Sequence, residues 1–151
     1  MAQYIGIPYS FRRGPLQIAQ ESRDGIFKQG INCQSLIHEL YRARLGINLP
    51  SNLLSKEIYE GTDLFEEIST SDKNLKEGDI FIFGKDMPDA DPQDFHLGYY
   101  VGETNENNSP LIIHATVYLN NVNIWPLDRF FLYPKYKELK GIRRFSEPLQ
   151  Q

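Results

Sequence analysis

The sequence predicts an α+β fold, with helices in its first half and an antiparallel sheet in its second. Two patterns carry this expectation. Residues 33–44 repeat apolar side chains at helical spacing, and from Asp79 onward short β-branched and aromatic runs alternate with turn residues. Size adds a third observation. A chain of 151 residues with 40% hydrophobic and 24% charged content suits a single domain over residues 1–151 with its own core.

The first eleven residues, MAQYIGIPYSF, are aromatic and broken by Gly6 and Pro8, which predicts an extended segment ending in a turn. Residues 12–30 are polar and carry Gly14, Pro15, Gly25 and Gly30; a short helix over residues 16–22 fits within that loop. The clearest helix follows at 33–44. Cys33, Leu36, Ile37, Leu40 and Ala43 share one face, Asn32 is a good N-cap, and Gly46 is placed to end the helix. His38 lies about 140° around this wheel from Cys33 and reads as exposed and uninvolved. Glu39 and Arg42 share that outer side. Pro50 breaks the chain, Ser51 or Asn52 caps a second short helix reaching about Tyr59, and Gly61 stops it. Residues 65–69 read as an edge strand and 72–78 as a charged turn. DIFIF, HLGYYVG, PLIIHAT, VNIW and KELKGIRRF then read as strands, punctuated at 105–110 and at Asn120-Asn121.

Charge narrows the partners. A net charge of -4 and a pI near 5.4 argue against a nucleic-acid groove or an anionic membrane surface, and Arg12-Arg13 and Arg143-Arg144 are only pairs. No apolar run approaches the ~20 residues of a membrane span, so no membrane insertion is expected. The amino end lacks a basic region followed by an apolar run, which predicts a cytoplasmic protein or one exported by another route. One cysteine forbids an internal disulfide.

That cysteine, Cys33, falls on the first turn of the best helix, where the positive end of the helix dipole favours a thiolate. The alternative is a small buried hydrophobe. His96 opens a strand and His114 closes one. Alternation puts His96 on one face with Gly98 and Tyr100. Gly98 permits a close approach there; if the Cys33 helix packs on that face, thiol and imidazole meet as a nucleophile–base pair that His114 orients. The competing reading makes both histidines ordinary half-buried strand residues.

Five stretches recur in a telling order: YIGIPYSF, an aromatic-glycine turn ending in Pro-Tyr; Asn32-Cys33-Gln34-Ser35-Leu36; the turn and strand Gly78-Asp79-Ile80-Phe81-Ile82-Phe83; HLGYYVG; and His114-Ala115. Together they resemble the NlpC family of papain-like cysteine peptidases, the bacterial cell-wall endopeptidases. The resemblance implies a papain-like fold with an N-terminal catalytic helix packed on an antiparallel sheet of about five strands. It implies Cys33 as nucleophile, His96 as base, His114 fixing the tautomer and tilt of His96, and the Cys33 N–H binding the oxyanion. Tyr9 matches a family tyrosine whose hydroxyl assists at the active site. No metal or cofactor is implied. The partner implied is a peptide or small-molecule amide substrate, the family's being L-Ala-γ-D-Glu or γ-D-Glu-diamino acid stem peptides of peptidoglycan; separately from the resemblance, a monomer is expected.

Departures from the family bear on substrate. Asn32 stands where the family has Asp, and Gln34-Ser35 where it has Ser-Gly, at positions that recognise the substrate's free amine. Losing the carboxylate removes an ammonium partner worth on the order of 1.5–3 kcal/mol in a desolvated pocket. The loop before His96 carries Asp86, Asp89, Asp91 and Asp94 between prolines. It is either a solvated acidic turn or an overhang that supplies negative charge for an amine-bearing substrate. Rival functions are an amidase, deamidase or acyltransferase on a non-wall substrate, and a non-catalytic binding module that retains the fold.

Overall fold

The computed structural model describes residues 1–18, 23–61 and 63–146. The helical repeat becomes α3, Cys33–Leu40, which continues as a wider π turn over Tyr41–Leu45 until Gly46 ends it in left-handed backbone at φ 68°. Its start is doubly capped. Asn32 Oδ1 accepts the Ser35 N–H at 2.8 Å, and Ser35 Oγ accepts the Asn32 N–H at 2.9 Å. This reciprocal box satisfies two donors that a helix start leaves without partners.

The expectation of an N-terminal catalytic helix does not hold. A 3-10 turn at Ala2–Tyr4, α1 at Pro15–Ile18 and α2 at Arg23–Gln29 all precede α3. The polar stretch read as a loop folds because Ile18 and Ile26 are buried in the main core, and Pro15 at the first position of α1 suits a helix start. The helix anticipated at 16–22 is matched by α1; its remainder lies outside the described residues. The next helix, α4 at Ser55–Glu60, is capped from Leu54 and not from Ser51 or Asn52, because Glu57 Oε1 accepts the Leu54 N–H at 3.1 Å.

Among the described residues six strands form one antiparallel sheet. They are β1 (Phe65–Ile68), β2 (Ile80–Gly84), β3 (His96–Thr104), β4 (Pro110–Thr116), β5 (Asn121–Pro126) and β6 (Glu138–Phe145), in the order β1-β6-β2-β3-β4-β5. The edge strand read at 65–69 is β1, which brings the sheet from about five strands to six; its Glu66 and Glu67 lie opposite Arg144 and Arg143. A short helix α5, Leu127–Phe130, follows β5.

Period-two alternation sends the strands' side chains into two separate cores. On one face Leu97, Tyr99, Ile113 and Ala115 pack with Leu36, Ile37 and Leu40 of α3. On the other, Phe81, Phe83, Tyr100, Ile112, Trp125, Phe130 and Tyr136 form an aromatic core. His96 and Gly98 belong to this second face, so α3 does not pack where the sequence placed it. The room at Gly98 is used by β4 instead: a Cβ there would come within 2.4 Å of Ile112 Cγ2.

Two further expectations about α3 are corrected. His38 is half-buried, with Nε2 2.7 Å from the Leu53 carbonyl, because the chain around Leu53 folds over it. Glu39 is 3% exposed, gripped by Arg42 at 2.5 and 2.7 Å and by the Tyr4 hydroxyl at 3.2 Å. The N-terminal turn covers what a helical wheel had assigned to solvent. Among the described residues no helix is long and apolar enough to cross a membrane.

Gly30 ties the amino-terminal segment to the cysteine. Ile31 N–H donates to the Pro8 carbonyl and Ser10 N–H to the Ile31 carbonyl, both at 3.0 Å, which lays Tyr9 alongside Ile31. Gly30 has φ +100°, and a Cβ there would sit 2.6 Å from the Pro8 carbonyl oxygen, a backbone atom that cannot swing aside. Gly30→Ala is therefore expected to cost about 3 kcal/mol or more, read by urea unfolding. A change below about 0.5 kcal/mol would contradict this account.

Candidate active site

A cleft of about 670 Å³ opens at the end of the sheet, where β3 begins and β4 finishes. Tyr9, Asn32, Cys33, Gln34, His96 and Tyr136 all line it, with the loop around Asp89, Asp91 and Asp94 forming another wall. Residues from both cores meet here. Cys33 and Tyr9 come from the α3 side, while His96 and Tyr136 come from the aromatic side.

Cys33 is the first residue of α3 and stays partly open to the cleft. Burial pushes the Cys33 thiol up to about 11, outweighing the nearby backbone N–H groups of Leu97, Gln34 and Cys33 itself, which act to lower it. His96 is 7% exposed, and burial pulls its imidazole down to about 3. At neutral pH the resting pair is therefore uncharged.

His96 Nε2 lies 2.7 Å from His114 Nδ1. His114 is fully buried, and burial first, then the neighbouring His96 and Arg129, hold it well below its ordinary range. Two neutral imidazoles share this contact, so one donates and the other accepts. The Nε2 of His114 has no conventional partner and is enclosed by Trp125, with ring centroids 4.3 Å apart, and Phe130 at 4.4 Å. Aromatic faces are electron-rich and favour an N–H over a lone pair. With the His114 proton on Nε2, its Nδ1 would accept from His96 Nε2–H and His96 Nδ1 would be left as the basic nitrogen.

The remaining sequence candidates have varied fates. Tyr9 is half-buried in the cleft; burial first and then the nearby Cys33 raise its hydroxyl above the ordinary range. Asn32 spends its amide on structure, with Oδ1 in the capping box and Nδ2 donating to the Phe11 carbonyl at 3.0 Å. Gln34 Oε1 accepts the Ser55 N–H at 3.1 Å, which leaves its NH2 as the remaining donor group. Asp86 does not line the cleft, whereas Asp89, Asp91 and Asp94 do.

Sequence reasoning missed Tyr136 and Thr116. Tyr136 stacks on His96 with centroids 4.1 Å and planes 18° apart, and its hydroxyl lies 2.9 Å from Thr116 Oγ1. The available signal was aromatic density: residues 125–136, WPLDRFFLYPKY, contain five aromatics. Compared with protein-family models and with curated proteins, the chain matches none.

Proposed function

We propose that this chain is a thiol-dependent amide hydrolase of the papain-like, NlpC type, with Cys33 as nucleophile, His96 as base and His114 as the group that orients it. One observation carries the reading: His96, engaged through Nε2 by His114 at 2.7 Å, shares a cleft with a cysteine at a helix start. A helix-borne cysteine on a sheet that carries both histidines supports the papain-like assignment.

In the first half-reaction the Cys33 sulfur bonds to the scissile carbonyl carbon while its proton passes to His96 Nδ1. The N–H groups around the sulfur, those of Cys33 and Leu97 among them, are the natural donors for the oxyanion. Collapse breaks the C–N bond, and the proton on His96 leaves with the amine. Water then attacks the thioester, giving its proton to His96; the carboxylic acid departs and the proton returns to sulfur. His114 Nδ1 accepts from His96 Nε2–H throughout and is best used when His96 is cationic.

The substrate we propose is a peptidoglycan stem peptide or a related small peptide. Purified stem peptides, free and with blocked amino ends, digested by wild type and Cys33→Ala, test this. Cys33-dependent products are expected, and their absence from every stem peptide would remove the cell-wall substrate. A second reading, amide cleavage or acyl transfer on a non-wall substrate, gains from Asn32, because the position before the nucleophile offers no carboxylate and its amide is already engaged.

The acidic wall offers a replacement for that carboxylate. Asp91 caps the turn at Pro92–Asp94, accepting the Gln93 N–H at 3.0 Å, so Asp89 and Asp94 are the ones to change. Asp89→Asn/Asp94→Asn is expected to raise KM for a free-amine peptide about three- to tenfold, with less effect in high salt and none on the N-acetylated peptide. Equal KM values for both peptides in both proteins would show that the wall is only solvated.

A further inference from the structure

His96 is held in two places, and both lead back to β4. Its edge meets His114, and its face lies on Tyr136, whose hydroxyl is bonded to Thr116, two residues beyond His114 on the same strand. Tyr136 arrives from a separate turn, Pro134–Tyr136, is 3% exposed and lines the cleft with Cys33. Other aromatics near His96 are too distant to stack: Phe83 and Phe130 have centroids 6.3 Å away. The hydrogen bond at Nε2 fixes one point of the imidazole but leaves the ring free to pivot about it. A near-parallel ring at 4.1 Å removes that freedom.

We propose that Tyr136 is a positioning residue for the base: stacked on His96 and anchored through its hydroxyl to Thr116, it holds the imidazole plane so that Nδ1 serves Cys33. Its ring face also stabilises the imidazolium that forms when the thiol proton is transferred. This rests on the nucleophile–base pair proposed above. The titratable groups near Tyr136 are Cys33, Tyr118 and Tyr9; those against His96 are His114, with Arg129 beyond it, and Tyr136 itself.

The test is acylation of the full chain by p-nitrophenyl acetate, followed from pH 5 to 10. Each event forms one S–C bond at Cys33, releases p-nitrophenolate and passes the thiol proton to His96, or to hydroxide when His96 cannot take it. Wild type is expected to acylate at pH 6–8 faster than His96→Ala, whose rate climbs with pH throughout. Tyr136→Leu is expected to lose roughly 10- to 100-fold at neutral pH and to take on the climbing profile of His96→Ala. Tyr136→Phe and Thr116→Val each break the same anchor, so each should lose severalfold and the double variant no more than either. A wild-type rate and pH profile in Tyr136→Leu would overturn the inference. Should that variant not fold by thermal melting, wild-type profiles in both Tyr136→Phe and Thr116→Val would overturn it equally. Wild type no faster than His96→Ala is a separate result: it would remove the nucleophile–base pair itself, and the role of Tyr136 with it.

Discussion

Cys33→Ala is expected to bring amide hydrolysis to background, a loss of about 10⁴-fold or more, with little change in the fold. The magnitude follows from chemistry. No other side chain in the cleft is a comparable nucleophile, so no covalent route remains. The small structural effect follows from position. Cys33 is partly open to the cleft, and the capping box that starts α3 belongs to Asn32 and Ser35, not to the cysteine. Losing one sulfur there should cost no more than about 1 kcal/mol. His96→Ala is expected to lower kcat by about 10²- to 10⁴-fold, the range for a general base, with KM less affected. The resting electrostatics make His96 more necessary. A thiol at about 11 supplies almost no thiolate at neutral pH, so attack depends on a base that accepts the proton in the same step. Turnover in Cys33→Ala equal to wild type would end the thiol-dependent reading, whatever the substrate.

How far the site was legible depends on how local each signal was. Asn32 before a helical repeat and Gly46 after it are short-range signals, and both ends of the helical segment came out where they pointed. Strand positions followed from alternation over a few residues. Which face meets α3 did not follow, because Gly98 advertises room without saying who fills it; Ile112 does. His38 and Glu39 were misread for a related reason. A helical wheel treats everything off the apolar stripe as solvent, but Leu53 and Tyr4 come back from elsewhere in the chain to cover them. Aromatic density marked the stretch that holds Tyr136 but not its partner, because a stack between residues 40 positions apart leaves no periodic trace. Cys33, His96 and His114 stood out as candidates only through their neighbours in the chain, whereas Tyr136 stacked on His96 and Phe130 beside His114 belong to no motif.

Acid should unfold this protein early, and the two histidines of the site should be the main reason. In the unfolded chain each takes up a proton near pH 6.5. In the folded chain His96 does so only near 3, and His114 also well below its ordinary value, both through burial. Below pH 6.5 the unfolded state therefore binds more protons than the folded state, and stability falls as pH falls. The contribution is fully present above about 6.5 and is lost progressively down to about 3 for His96. Each histidine contributes a slope of about 1.4 kcal/mol per pH unit, so two pH units cost roughly 5 kcal/mol, a large share of the 5–15 kcal/mol of a typical domain. His38, lowered by burial, adds in the same direction. Urea unfolding at pH 7, 6, 5 and 4 measures the slope. His96→Gln/His114→Gln should flatten it by up to two protons while leaving His38 and the carboxylates to titrate as before. Equal slopes in both proteins would mean that the site histidines are already solvated or charged. On the proposed mechanism the same packing has two opposed effects: it keeps His96 unprotonated at neutral pH, and it lowers the affinity of the imidazole for the proton it takes from sulfur. An exposed His96 would relieve the acid sensitivity and would also present Cys33 with a base already protonated over much of the acidic range.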